Sequence, residues 1–154
     1  MHKVAKIFAS SIILSSLIAL TGCSSSAPTL GVENGQLMPC PSKPNCVNSF
    51  SKDEAQYIKP IIIEATNDGV ESAILSVINT MENSKVTVAE NSYIRAEFSS
   101  DFFGFVDDVE FYFPANTSET TIYIRSAARL GYSDFNVNRE RVERIRLRLE
   151  TLKK

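Results

Sequence analysis

One histidine (His2), three cysteines and no tryptophan are all that this 154-residue chain has of those residue types. Histidine is the usual general base and the commonest metal ligand. If His2 leaves with an N-terminal signal, the remaining chain cannot run a Ser-His-Asp or Cys-His relay. The sequence has no glycine-rich phosphate loop and no nucleophile-elbow pattern. No apolar run reaches the roughly 20 residues that a membrane-spanning helix needs. Positive charge is not in excess. With Lys3 and Lys6 removed, 14 basic side chains face 18 acidic ones, a net charge of −4. Nucleic-acid binding needs cations facing phosphates and is not expected. Nor is a cofactor or a metal.

What is present starts with Lys3 and Lys6, followed by an apolar run from Ile7 to Leu20 interrupted only by small residues. A basic start, a short apolar stretch and small residues at a cut form a secretory signal. The cut is marked by Leu20-Thr21-Gly22-Cys23, which resembles a bacterial lipobox. Residues 1–22 are therefore expected to be a signal peptide, with Cys23 becoming a lipidated, fatty-acylated N-terminus anchored in the membrane. Ser24 replaces the Asp expected for inner-membrane retention, so outer-membrane sorting, facing the periplasm, is the expectation.

Lipidating Cys23 leaves Cys40 and Cys46, a pair in an oxidising compartment where disulfides persist. Two thiolates without further soft ligands make a poor metal site. Residues 23–55 hold three consecutive serines and four of the six prolines. They read as a lipid-anchored tether and a disulfide-stapled loop. Residues 56–154 read as a single domain.

Within that domain, Pro60 makes the isoleucine-rich stretch from Tyr57 to Ala65 an edge strand or the entry to one. Asp68 and Glu71 resemble a capping box. Val70, Ile74, Val77, Ile78 and Met81 then form one helical stripe. Val86 and Val88, then Ile94, Ala96 and Phe98, then Val109, Phe111 and Phe113, then residues 121–127, alternate as strands with one buried face. Asn136 or Asn138 is placed to cap a last helix bearing Val142, Ile145, Leu149 and Leu152, with its arginines solvated and Glu140 paired to Arg144. The expected fold is α+β: an antiparallel sheet of four or five strands with two helices packed on one face.

Strand parity puts Arg125 opposite Asp108 or Glu110, with Tyr93, Arg95 and Glu97 beside them and Arg129 at the rim. Three readings of this face stand. It is a ladder of salt bridges, an anion pocket built on arginine forks, or a carboxylate site for a divalent cation. The ladder is favoured, and alternation disfavours the cation because Asp107 and Asp108 point to opposite faces. Asp107, on the apolar side, needs a partner, and Arg129 or Arg139 is the expected one. Phe102 and Phe103 are expected to fold over the core edge rather than form a docking tip.

Several segments carry a resemblance. They are Cys40-Pro-Ser-Lys-Pro-Asn-Cys46-Val47, Tyr93-Ile-Arg-Ala-Glu97, Phe105-Val-Asp-Asp-Val-Glu-Phe111, and the stretch from Arg125-Ser-Ala-Ala-Arg129 through Asp134 to Arg139. In this order they resemble a bacterial family of domains of unknown function, numbered 1499. The resemblance implies a small secreted or membrane-associated protein and transfers no activity. It marks Asp107, Asp108, Glu110, Arg125, Arg129, Asp134 and Arg139 as motif positions. The expected function is a binding or scaffolding module of the cell envelope, with an envelope protein as partner. The alternative is a small-anion-binding or hydrolytic domain using Arg95, Asp108, Glu110, Arg125, Arg129 and Arg139.

Overall fold

The computed structural model describes residues 27–152 except 91, 102 and 116–118. Residues 1–22, read in the sequence as a signal, lie outside the described residues, as do Cys23 and Phe102. The chain runs β1 (Val32–Glu33), β2 (Gln36–Leu37), β3 (Cys46–Asn48), β4 (Ile61–Ile63), α1 (Asn67–Asn79) and β5 (Ser84–Glu90). It continues through β6 (Tyr93–Ser99), β7 (Val106–Tyr112), β8 (Thr120–Ala128) and α2 (Val137–Thr151). The fold is α+β, as the alternating patterns imply.

The main sheet has six strands, against the four or five expected. Its order is β3-β8-β7-β6-β5, with β4 also on β8, and every pairing is antiparallel. Two three-residue strands share one edge of β8, β3 beside Arg125–Ala127 and β4 beside Thr120–Ile122. The extra strand is β3, too short and too proline-flanked to show period-two alternation. The sheet therefore starts within the stretch whose composition suggests a tether. That stretch also holds the β1–β2 hairpin, turned by Asn34 and Gly35 at φ 51° and 75°. Positive φ at both turn residues is what an Asn-Gly hairpin loop supplies.

Both helices pack on one sheet face. Val70, Ile74, Val77 and Ile78 of α1 and Val142, Ile145 and Leu149 of α2 meet Ile94, Ala96, Val109, Phe111, Ile122 and Ile124 in a single core. The helix ends depart from expectation. Thr66, not Asp68, occupies the cap of α1, and Asp68 lies in the first turn, where its charge complements the helix dipole. Asn136 holds the cap position of α2 in a left-handed conformation with no side-chain cap bond. Asp134 does that work instead, its carboxylate accepting from the N–H groups of Asn136 (3.2 Å) and Asn138 (2.9 Å). Leu152 is exposed, so the stripe ends at Leu149. The ion pair on α2 is Glu143–Arg146 rather than Glu140–Arg144.

Cys40 and Cys46 form the disulfide. Because Cys46 opens β3, the bond staples the proline-rich loop to the sheet edge. A ring this small restricts the unfolded chain by about 2–3 kcal/mol in the chain-entropy account. Replacing both cysteines with serine is expected to lower stability by that amount. Urea unfolding is the check, and an unchanged midpoint would show that the staple contributes nothing.

Candidate functional site

The face of the sheet opposite the helices carries charge in rows set by strand register. Tyr93, Tyr112 and Tyr123 form one row, and Arg95, Glu110, Arg125 and Asn48 the next. Glu97, Asp108, Ala127 and Cys46 form the third. Cross-strand neighbours sit about 4.5–5.5 Å apart, so opposite charges in and between rows can meet directly.

They do meet. Glu110 takes Arg125 Nη1 at 2.9 Å, the Tyr93 hydroxyl at 2.8 Å and the Gly31 N–H at 3.0 Å. Asp108 takes Arg95 through Nε (3.0 Å) and Nη2 (2.6 Å), and Arg129 through Nε (2.7 Å) and Nη2 (2.8 Å). Arg129 also pairs with Glu97. Glu110 is 0% and Asp108 1% exposed. The cover is the N-terminal segment. Gly31 reaches Glu110, the Pro28 carbonyl accepts from Arg95 Nη1, and Leu37 is buried.

The two central carboxylates respond oppositely to this setting. Burial pushes Glu110 above the ordinary carboxyl range, and Arg125, Tyr93 and Gly31 only partly pull it back. Burial would raise Asp108 too, but hydrogen bonds from Arg129 and Arg95 outweigh it and hold Asp108 below that range. Burial and the facing Glu110 carboxylate push the Tyr93 phenol well above its usual range, so it is no base at neutral pH. Hydrogen bonding to Asp108, then to Glu97, raises Arg129.

Five of the six candidate residues thus come together: Arg95, Asp108, Glu110, Arg125 and Arg129. Arg139 does not. It faces the loop before β4 and donates to the carbonyls of Tyr57 (2.9 Å) and Ala55 (2.8 Å). Chemically the assembled face is spent on itself, since each of its guanidinium groups already holds a carboxylate. Arg125 Nε is a buried donor without a partner among the described residues. No cluster there of three or more His, Cys, Asp or Glu could hold a metal. Asp107 and Asp108 indeed point to opposite faces.

Asp107 has neither expected partner. Its carboxylate takes Arg141 Nη2 at 2.6 Å, and Arg141 also donates to Asn138 (2.7 Å) and Ser126 (3.3 Å). The guanidinium lies over the Phe98 ring, 4.9 Å from its centroid. Arg141 is buried, as are Asn138 and Ser126, so it is no solvated helix arginine. Extending the Val142–Ile145–Leu149 stripe back one turn puts Asn138 and Arg141 on the inward side, a signal available in the sequence.

This second polar network floors a groove of about 860 Å³. The groove lies at the end of the sheet where β6 turns into β7 and β8 leaves for α2. Phe103, Phe105, Leu130 and Phe135 stand along it, and Arg144, Arg148, Glu82 and Asp101 also line it. Phe103 is 79% and Phe135 88% exposed. Phe103 stacks on Phe105 at 5.6 Å and stays exposed instead of folding over the core.

Fold and site together define a small α+β domain with a self-neutralised polar sheet face and an apolar-rimmed groove at one sheet end. The chain belongs to the family described as "protein of unknown function (DUF1499)", whose model matches residues 36–149. No curated protein and no solved structure matches it significantly.

Proposed function

We propose that this protein is a cell-envelope lipoprotein, tethered through Cys23, whose folded domain is a binding module using the groove at the β6–β7 turn. The groove carries this reading. Clefts with an apolar lining and a few polar groups are where proteins take up partners, and Phe103 and Phe135 stand largely exposed at the rim of this one. A small anion on the Arg/carboxylate face has less support, because those arginines are already paired and the central carboxylates are covered. The anchor rests on the lipobox-like Leu20-Thr21-Gly22-Cys23, and outer-membrane sorting on Ser24.

Two measurements test this. Mass spectrometry of the mature N-terminal peptide is expected to find a diacylglyceryl thioether on Cys23, in outer-membrane fractions. An unmodified Cys23 sinks the anchor. A photo-crosslinking residue at Phe135 is expected to capture an envelope component in intact cells, whereas one at Ile62, at the opposite sheet end, is not. Equal labelling at both positions sinks the groove as the binding surface.

A further inference from the structure

The Cys40–Cys46 disulfide is not sealed in the core. Both residues line a cleft of about 590 Å³. Cys40 is half-buried, whereas Cys46 is 4% exposed. Lys43, Asp53, Asp134 and Arg139 line the same cleft. The two acids are occupied by backbone donors. Asp53 accepts from the Ala55 N–H at 2.9 Å, and Asp134 accepts from those of Asn136 and Asn138. The two cations have no carboxylate partner among the described residues. Arg139 donates to the carbonyls of Tyr57 and Ala55, which leave its charge in place. Partial exposure beside positive charge is the setting of reactive rather than inert cysteines.

The loop closed by this bond also reaches the groove. Asn45, next to Cys46, is 2% exposed. Its side-chain amide donates to the Gly131 carbonyl at 3.0 Å. Its own carbonyl accepts from the Ala128 N–H at 3.0 Å and from Asn138 Nδ2 at 3.2 Å. Asn138 in turn holds Arg141, and Arg141 holds Asp107. Asp107, Ala128, Gly131 and Arg141 all line the groove at the β6–β7 turn. One buried asparagine thus joins the disulfide loop to the groove.

We infer that the Cys40–Cys46 bond is a thiol-exchange site for a dithiol reductant, and that its reduction loosens the groove through Asn45. The exchange stands on the cleft, whereas its effect on binding rests on the binding-module reading. One thiolate of the dithiol attacks Sγ of Cys40, the more exposed of the pair. The Sγ–Sγ bond breaks, and its electron pair leaves on Cys46 as a thiolate in the cleft that Lys43 and Arg139 line. The second thiol of the reductant gives up its proton, displaces Cys40 from the mixed disulfide and closes the reductant's own disulfide. Two electrons pass from the dithiol to the protein. Opening the ring returns conformational freedom to residues 41–45, which then weighs against the three bonds of Asn45.

The oxidised, lipidated protein in detergent micelles is treated with dithiothreitol under native conditions, and free thiols are alkylated and counted by mass. A gain of two thiols is expected, at a rate proportional to dithiothreitol concentration. The gain counts Cys40 and Cys46 whatever the state of Cys23. Lys43→Gln, at an exposed position, is expected to slow the reaction about threefold, because the leaving thiolate loses a cation. Arg139→Gln should act in the same direction. A rate that does not rise with dithiothreitol concentration overturns the exchange site, since the bond then opens only when the domain unfolds. Wild-type rates in both variants overturn it too.

The chain has no tryptophan, so Leu130→Trp places a unique fluorophore in the groove beside Gly131. Ile62→Trp places one at the other end of β8. Emission from Leu130→Trp is expected to change at the rate at which thiols appear, and that from Ile62→Trp to stay constant. Thiol release with no change at Leu130→Trp, or with equal change at both positions, overturns the coupling. A groove that captures nothing in intact cells defeats the binding module alone, because these rates are measured without a partner.

Discussion

Replacing Arg125 with leucine is expected to destabilise the protein by about 3–5 kcal/mol at neutral pH, the usual result of orphaning a buried charge. Among the described residues Arg125 is the only guanidinium that contacts Glu110, and Glu110 has no exposed surface. The loss should depend on pH, with a sign set by Glu110. Its carboxyl sits above the ordinary range in the folded protein, so the folded state holds this proton more tightly than the unfolded one. Such a group favours folding most when protonated. Its contribution is full below the unfolded value near 4.3 and falls as pH rises toward the folded value. Without Arg125 the neutral acid is the tolerable form, so the penalty should shrink in acid.

A double substitution, Arg125→Leu with Glu110→Leu, should recover most of the loss. It removes both charges rather than stranding one. The recovery should fall short by about 1–3 kcal/mol, because the Tyr93 hydroxyl and the Gly31 N–H lose their acceptor. Urea titrations of the wild type, both single variants and the double variant make the cycle. A single-variant loss that is small, or constant between neutral and acid pH, would rule out Glu110 as a buried charge held by Arg125.

The pairing at the centre of that cycle is legible in the sequence. Parity along β7 and β8 put Arg125 opposite Asp108 or Glu110, and the register is Glu110↔Arg125. Alternation works here because both strands bury one face, and a slip of one residue would invert it. The strands and helices with long periodic stripes were legible for the same reason. What escaped the sequence was set by contacts distant along the chain. β3 is three buried residues with no stripe to read. Which arginine reaches Asp107 depends on how α2 crosses the sheet, and Arg141 wins because it lies on the inward edge of the helix. Arg139, two residues earlier, turns to the loop before β4. The cover over the polar face was hidden by composition. Serines and prolines suggested a tether, although Asn34-Gly35 signals a hairpin. The exposure of Phe103 is not legible either, because aromatics in a turn do not say which way the turn points them.

Asp108 provides the opposite test of the same face. It accepts from two arginines and is almost fully buried. Asp108→Asn keeps the size but removes the charge and points an N–H group at the guanidinium groups. Arg129 keeps Glu97, and Arg95 keeps the Pro28 carbonyl. The expected loss is therefore about 3 kcal/mol at neutral pH, the lower end for a broken buried pair. The arginines hold the folded-state Asp108 below its usual value, so its stabilisation is present above the unfolded value near 3.9. It is lost as pH falls through the folded value. Wild type and Asp108→Asn should therefore differ most at neutral pH and converge in strong acid, once Asp108 is protonated and the wild type too has lost the carboxylate. A gap that stays constant into strong acid would mean that the Asp108 charge contributes nothing, and that Arg95 and Arg129 are held by the cover and by Glu97 alone. Set beside Arg125→Leu, the acid limb separates the two carboxylates. One is tolerated despite its charge, and the other is needed because of it.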